Sequence, residues 1–194
     1  MGTKKTILPN EYQQAEYIES TGEQYINTLI VPSSYTGMKL EFSNLSRLSS
    51  SFNFCGCRTT DNRFVFGYGN GKTAYGYNGS YITDIAFPQE KATFSLNYFN
   101  DRYFVYKNYF FSLDRSLNEK LPEIYLFAQK SSASTPQKLS YKCYSFEITE
   151  NEKLVLKFIP CYRKADGVIG MFDVVSRNFF VNSGTGTFLK GEDV

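Results

Sequence analysis

The stretch that decides the fold is YSFEITENEKLVLKF, Tyr144–Phe158. Apolar side chains occupy every second position on both sides of a polar tripeptide, Glu150-Asn151-Glu152. Alternation with period two predicts a strand with one buried face, and the polar tripeptide between the runs predicts a hairpin turn. We therefore expect two antiparallel strands, the second with Leu154, Leu156 and Phe158 on one face.

The same alternation recurs along most of the chain, for example over 38–42, 64–68 and 94–98. Asn70-Gly71, Asn78-Gly79 and Asp166-Gly167 accept the positive φ that tight hairpins need. The 16 Tyr and 18 Phe favour pleated structure, and helical patterns are limited to a turn or two within 10–19 and 113–120. The sequence predicts an all-β, two-sheet antiparallel β-sandwich of the jelly-roll type with little helix.

Charge and hydropathy exclude two classes of partner. Lys plus Arg number 21 against 19 Asp plus Glu, so the basic surface that nucleic-acid binding needs is lacking. No apolar run approaches the roughly 20 residues that span a bilayer, and the first residues, MGTKKT, lack the apolar segment of a secretory signal. We expect neither nucleic-acid binding nor membrane insertion.

The residues needed for several chemistries are missing. The chain contains no His, so a Ser–His or Cys–His pair cannot form, and zinc-ligand spacings fail as well. Acidic residues are scattered singly and do not form the carboxylate pair of a glycosidase. We expect no catalytic residue, no metal site and no cofactor.

Four cysteines, Cys55, Cys57, Cys143 and Cys161, lie outside any metal-binding spacing. Cys55 and Cys57 fall on the same face of a strand if that segment is extended. Free Cys behaves as a small hydrophobe, so we expect buried free thiols, with a disulfide as the alternative.

Tyrosine is the remaining residue type in this chain that is suited to ligand binding. Tyr68, Tyr75, Tyr77 and Tyr81 cluster in a segment rich in Gly and Asn. A flat ring with a hydrogen-bonding tip can stack on a sugar, so these four are the candidate ligand-binding residues. The alternative is that they pack the core and rim of a protein without Trp.

Long motifs stand at both ends of the chain: LPNEYQQAEYIESTGEQYINT over 8–28, and FIPCYRKADGVIGMFD over 158–173 with NFFVNSGTGTF over 178–188. With these motifs the chain resembles a family of phage tail and virion surface proteins from gut bacteria. The family is similar to laminin-G-like and concanavalin-A-like jelly rolls. These motifs fit strand and turn chemistry, so we expect them to close the fold by bringing the first and last strands together.

The resemblance implies a non-enzymatic virion structural protein, an accessory or receptor-binding protein of the tail or capsid surface, assembled in the host cytoplasm. Residues 1–9 are predicted to form an N-terminal arm and 10–194 a single β-sandwich domain. Other virion proteins, host surface polysaccharide and further copies of the chain are the expected partners. A bacterial carbohydrate-binding module or adhesin unit is the alternative, and a glycosidase or lyase is a third hypothesis.

Overall fold

The structure, a computed structural model, describes residues 8–44, 52–69, 72–78, 80–86, 91–97, 102–106, 109–113, 120–132 and 136–194. In these residues it confirms the predicted all-β class: two sheets pack face to face as a β-sandwich. Strands are numbered β1 to β19 in chain order. The larger sheet consists of β1 (Tyr12–Gln14), β2 (Ile18–Thr21), β4 (Thr36–Asn44), β9 (Ala92–Asn97), β10 (Arg102–Tyr106), β11 (Tyr109–Leu113), β15 (Ser140–Glu150), β16 (Lys153–Arg163), β17 (Ile169–Asp173), β18 (Phe179–Val181) and β19 (Leu189–Lys190).

The smaller sheet consists of β3 (Ile26–Asn27), β5 (Phe52–Arg58), β6 (Arg63–Gly69), β7 (Lys72–Asn78), β8 (Ser80–Ala86), β12 (Tyr125–Leu126), β13 (Ala128–Ser131) and β14 (Gln137–Lys138). Its main order is β14-β13-β5-β6-β7-β8, and that of the larger sheet is β11-β10-β9-β4-β15-β16-β17-β18. Pairings between described strands are antiparallel apart from that of β13 with β5.

The core lies between the two sheets and follows the predicted alternation. Met38, Leu40 and Phe42 of β4 are buried, as are Phe64 and Phe66 of β6. Phe42 lies 4.8 Å from Phe54 of β5, ring centroid to ring centroid. The inward faces of the two sheets therefore meet through aromatic side chains, as the abundance of Phe and Tyr suggested.

The expectation that Leu154 shares a face with Leu156 and Phe158 is wrong. The β15–β16 register pairs Ile148 with Leu156 but Thr149 with Leu154, so Val155 is an extra residue in β16. A one-residue bulge moves the residues beyond it to the other face. As a result Leu154 is 42% exposed, whereas Leu156 is buried and Val155 packs against the core.

The predicted turns are confirmed where the structure describes them. Asn151 and Glu152 have φ of 48° and 64°, the left-handed pair that a tight hairpin turn requires. Gly167 has φ of +71° in the turn between β16 and β17. Gly71 and Gly79 lie outside the described residues.

The short helix considered within 10–19 is wrong, because β1 and β2 occupy this segment. Its main chain bonds to sheet neighbours: β1 pairs with β16, and β2 pairs with both β15 and β19. Those pairings use the donors and acceptors that a helix would bond internally. Of the other helical segment considered, residues 114–119 lie outside the described residues.

The two ends of the chain meet in the larger sheet, as the terminal motifs predict. β19 pairs with β2, Ala15 bridges to Asp193, and the Val194 amide donates to the Gln14 carbonyl at 3.1 Å. Leu8 is buried against Cys161 and Phe172 on the outer face of this sheet. The motifs thus close the fold. The division into an arm and a domain stays a prediction.

The four cysteines are free and buried, as expected. Cys55 and Cys57 both belong to the main core, on one face of β5. Burial raises the pKa of the Cys161 thiol to about 12 and shifts the pKa of Cys143 in the same direction. Thiols held neutral in this way act as packing groups and not as nucleophiles.

Candidate functional site

A cavity of about 540 Å³ lies where the turn after β16 faces the loop after β18. This volume falls within the range of about 300–1,000 Å³ that is typical of small-molecule sites. We call it the closure pocket. It is lined by Arg163, Asp166, Gly167, Val168, Ile169, Val181, Asn182, Gly184, Gly186, Thr187 and Phe188.

The turn on one side of the pocket is built around the Asp166 carboxylate. Arg163 donates to it through Nε at 3.1 Å and Nη2 at 2.7 Å, and the Val168 amide donates at 3.2 Å. The hydrogen bond from Arg163 is the main cause of the lowered pKa of Asp166, and the same bond raises the pKa of Arg163. The two side chains therefore carry opposite, mutually compensating charges at the pocket.

The loop on the other side is held by the Asn182 side chain. Its Oδ1 accepts the amides of Tyr25, at 3.1 Å, and Gly184, at 2.7 Å. Its Nδ2 donates to the carbonyls of Thr185, at 3.3 Å, and Gly186, at 2.9 Å. All of the usual hydrogen-bonding capacity of this amide is used, so Asn182 shapes the pocket but has little left for a ligand.

The remaining lining contains both apolar side chains and hydrogen-bonding groups. Val168, Ile169 and Val181 contribute apolar surface, whereas Phe188 is buried in the core behind the pocket. The Thr187 hydroxyl and Arg163 Nη1 make no hydrogen bond with any described residue. A ligand with one apolar face and several hydroxyl groups fits such a pocket.

The described lining residues do not form a metal or acid–base site. Asp166 is the one carboxylate among them, and the Arg163 guanidinium already engages both of its oxygens. Within the described ranges, no group of three or more Cys, Asp or Glu side chains is placed to hold a metal ion.

The four predicted tyrosines lie elsewhere, on three adjacent strands of the smaller sheet. Tyr68 is in β6, where its ring packs partly against the core. The register places Tyr75 opposite Phe66, Tyr77 opposite Phe64 and Tyr81 opposite Gly76. The side chains of Phe64 and Phe66 are fully buried. The structure thus brings the four positions together in the sheet, and their role in ligand binding stays a prediction.

The sequence predicts the pocket residues only as strand and turn residues. Asp166-Gly167 predicts a tight hairpin turn, and the Gly-containing segment Ser183–Gly186 is equally typical of a turn. They face one another because the β16–β17 turn and the end of β18 lie at the same end of neighbouring strands. The signal available in the sequence was that both turns fall within the recognisable C-terminal motif.

The chain matches no protein-family model, no curated protein and no solved structure. The resemblance to phage surface proteins therefore stays a prediction. The described ranges contain no helix that would cross a membrane.

Proposed function

We propose that this chain is a phage virion surface protein, and that its closure pocket binds a saccharide unit of a host cell-surface glycan. The observation that carries the binding role is the pocket itself, whose lining combines apolar side chains with Arg163 and Thr187. The assignment to a virion is motivated by the terminal motifs and by the sandwich fold. The β-sandwich supplies rigid strand ends from which two loops are positioned, a common way to build a recognition site.

A pyranose ring suits this mixed lining. Its C–H face can lie against Val168, Ile169 and Val181, while its hydroxyl groups exchange hydrogen bonds with Thr187 and Arg163. Asn182 and the Asp166–Arg163 pair hold the two loops in place before the ligand arrives. Such preorganisation lowers the entropic cost of binding.

Filling the pocket should abolish binding without unfolding the protein. Val181 lines the pocket and Val175 does not, yet both side chains are 43% exposed. We expect Val181→Trp to lower affinity for the bound glycan by about 100-fold or more, because the indole occupies the space of the ligand. Val175→Trp is the matched control and should bind within about twofold of the native protein.

A glycan array identifies the ligand, and isothermal titration calorimetry measures the two variants. Equal binding by native protein and Val181→Trp would place any glycan site outside the closure pocket. The virion role is tested separately by mass spectrometry of purified phage particles. Absence of the chain from the particles would contradict that part of the proposal and favour an exported carbohydrate-binding module or adhesin unit.

A further inference from the structure

The charges at the closure pocket lead to an inference about the class of saccharide. We infer that the pocket selects neutral saccharides over those bearing carboxylate, sulfate or amino groups. This inference rests on the proposed saccharide-binding function and adds the property by which ligands are chosen. Its basis is the geometry of one ion pair and the absence of a second charged side chain of either sign among the lining residues that the structure describes.

Arg163 and Asp166 form a close, forked pair. Nε of Arg163 lies 3.1 and 3.2 Å from the two carboxylate oxygens, and Nη2 lies 2.7 Å from Oδ2. At this separation the Asp166 charge offsets part of the guanidinium charge felt by a ligand. An anionic sugar therefore meets a guanidinium whose charge is partly compensated.

A cationic sugar gains little from Asp166, because the carboxylate is already paired. Asp166 accepts hydrogen bonds at both oxygens from Arg163 and at Oδ1 from the Val168 amide. An amino group would have to displace Arg163 to reach it. Removing one partner from a hydrogen-bonded charge pair leaves the other charge without its compensation, which is costly.

A neutral sugar needs neither charge. Hydroxyl groups both donate and accept, so they can bond Arg163 Nη1, the Thr187 hydroxyl and the main chain of the glycine-containing loops. The ring's C–H groups lie against Val168, Ile169 and Val181. Desolvation then costs less than it would for a charged sugar, because no ionic group leaves water.

The direct test changes the charge balance without changing the shape. Asp166→Asn removes the negative charge and keeps an oxygen that can accept the Val168 amide. Calorimetry would use matched oligosaccharides of neutral hexoses, of uronic acids and of amino sugars. We expect native protein to prefer the neutral series by about tenfold or more, and Asp166→Asn to gain about tenfold in affinity for the uronic acids.

Asp193→Asn is the matched control. Asp193 forms an i,i+3 ion pair with Lys190 at 2.7 Å, the same spacing and distance as Arg163–Asp166, and does not line the pocket. It should leave the preference unchanged. If Asp166→Asn does not fold, the salt dependence of the native protein gives the same information, because binding of a neutral ligand should change less than about twofold between low and high salt.

The outcomes separate the two proposals. Tighter binding of uronic acids than of neutral hexoses by the native protein, or a steep loss of affinity with salt, contradicts neutral selection but leaves saccharide binding in place. Absence of binding to all three series contradicts both.

Discussion

Gly56→Ala is expected to destabilise the sandwich by roughly 4 kcal/mol or more, which is among the largest effects of a single substitution. Gly56 lies in β5 with φ of +125°. A Cβ atom there would be 2.1 Å from the Phe64 carbonyl oxygen and 2.7 Å from the Val65 Cα, both of them backbone atoms of β6. Because these atoms belong to a paired strand, no side-chain rotation relieves the overlap.

The position also joins several strands. Gly56 is paired with Val65 of β6, Tyr125 of β12 and Gln129 of β13. Separating β5 from β6 would therefore disturb the whole centre of the smaller sheet. Thermal unfolding followed by circular dichroism should show the melting temperature falling by roughly 10 °C or more.

Gly22→Ala is the matched control for the backbone conformation. Gly22 has φ of +103°, but a Cβ atom there would meet nothing within 4 Å. Only the strain of a left-handed backbone remains, which costs about 1 kcal/mol. If both variants melted at the same temperature, the steric account of Gly56 would be wrong.

Tyr141→Phe is expected to cost about 1–3 kcal/mol, since it leaves buried polar groups without a partner. Tyr141 extends from β15 of the larger sheet and is fully buried. Its hydroxyl donates to the Phe54 carbonyl at 2.9 Å and accepts the Phe127 amide at 3.1 Å. One side chain thus ties the larger sheet to two segments of the smaller one.

The Phe127 amide depends on this contact because of its conformation. Phe127 lies between β12 and β13 with φ of 66°, outside the regular ladder of either strand. Burial raises the pKa of Tyr141 well above its usual value, so the hydroxyl stays protonated and remains a donor. Chemical denaturation of Tyr141→Phe measures the loss of stability.

Tyr12→Phe provides the comparison, because the Tyr12 ring packs on Phe172 and Phe179 but its hydroxyl bonds no described residue. It should change the free energy of unfolding by less than about 0.5 kcal/mol. A loss as large in Tyr12→Phe as in Tyr141→Phe would mean that removing any tyrosine hydroxyl has this effect, and that the inter-sheet hydrogen bonds are unimportant.

The fold was largely predictable because its signals are local. Alternation over 38–42 and 64–68 identifies the buried faces of β4 and β6, and Glu150-Asn151-Glu152 identifies a turn. Alternation fails at Leu154 because a bulge at Val155 depends on how β15 and β16 are paired, which the residues of β16 alone do not specify.

The candidate site was harder to predict because it is not local. Arg163 and Phe188 are separated by β17 and β18, and they line one cavity only after β16, β17 and β18 have been placed side by side. Composition pointed instead to tyrosines, where rings are dense in the sequence. The Asp166-Gly167 turn shows the difficulty: the same residues satisfy turn chemistry and line a pocket.

We propose that saccharide binds in the closure pocket and not on the tyrosine-bearing strands β6 to β8. Titration of the ¹⁵N-labelled protein with neutral hexose oligosaccharides distinguishes the two locations, because amide chemical shifts report where the ligand binds. We predict that the shifts that change belong to residues 163–169 and 181–188. Changes confined to β6, β7 and β8, around Tyr68 and Tyr75, would contradict the claim.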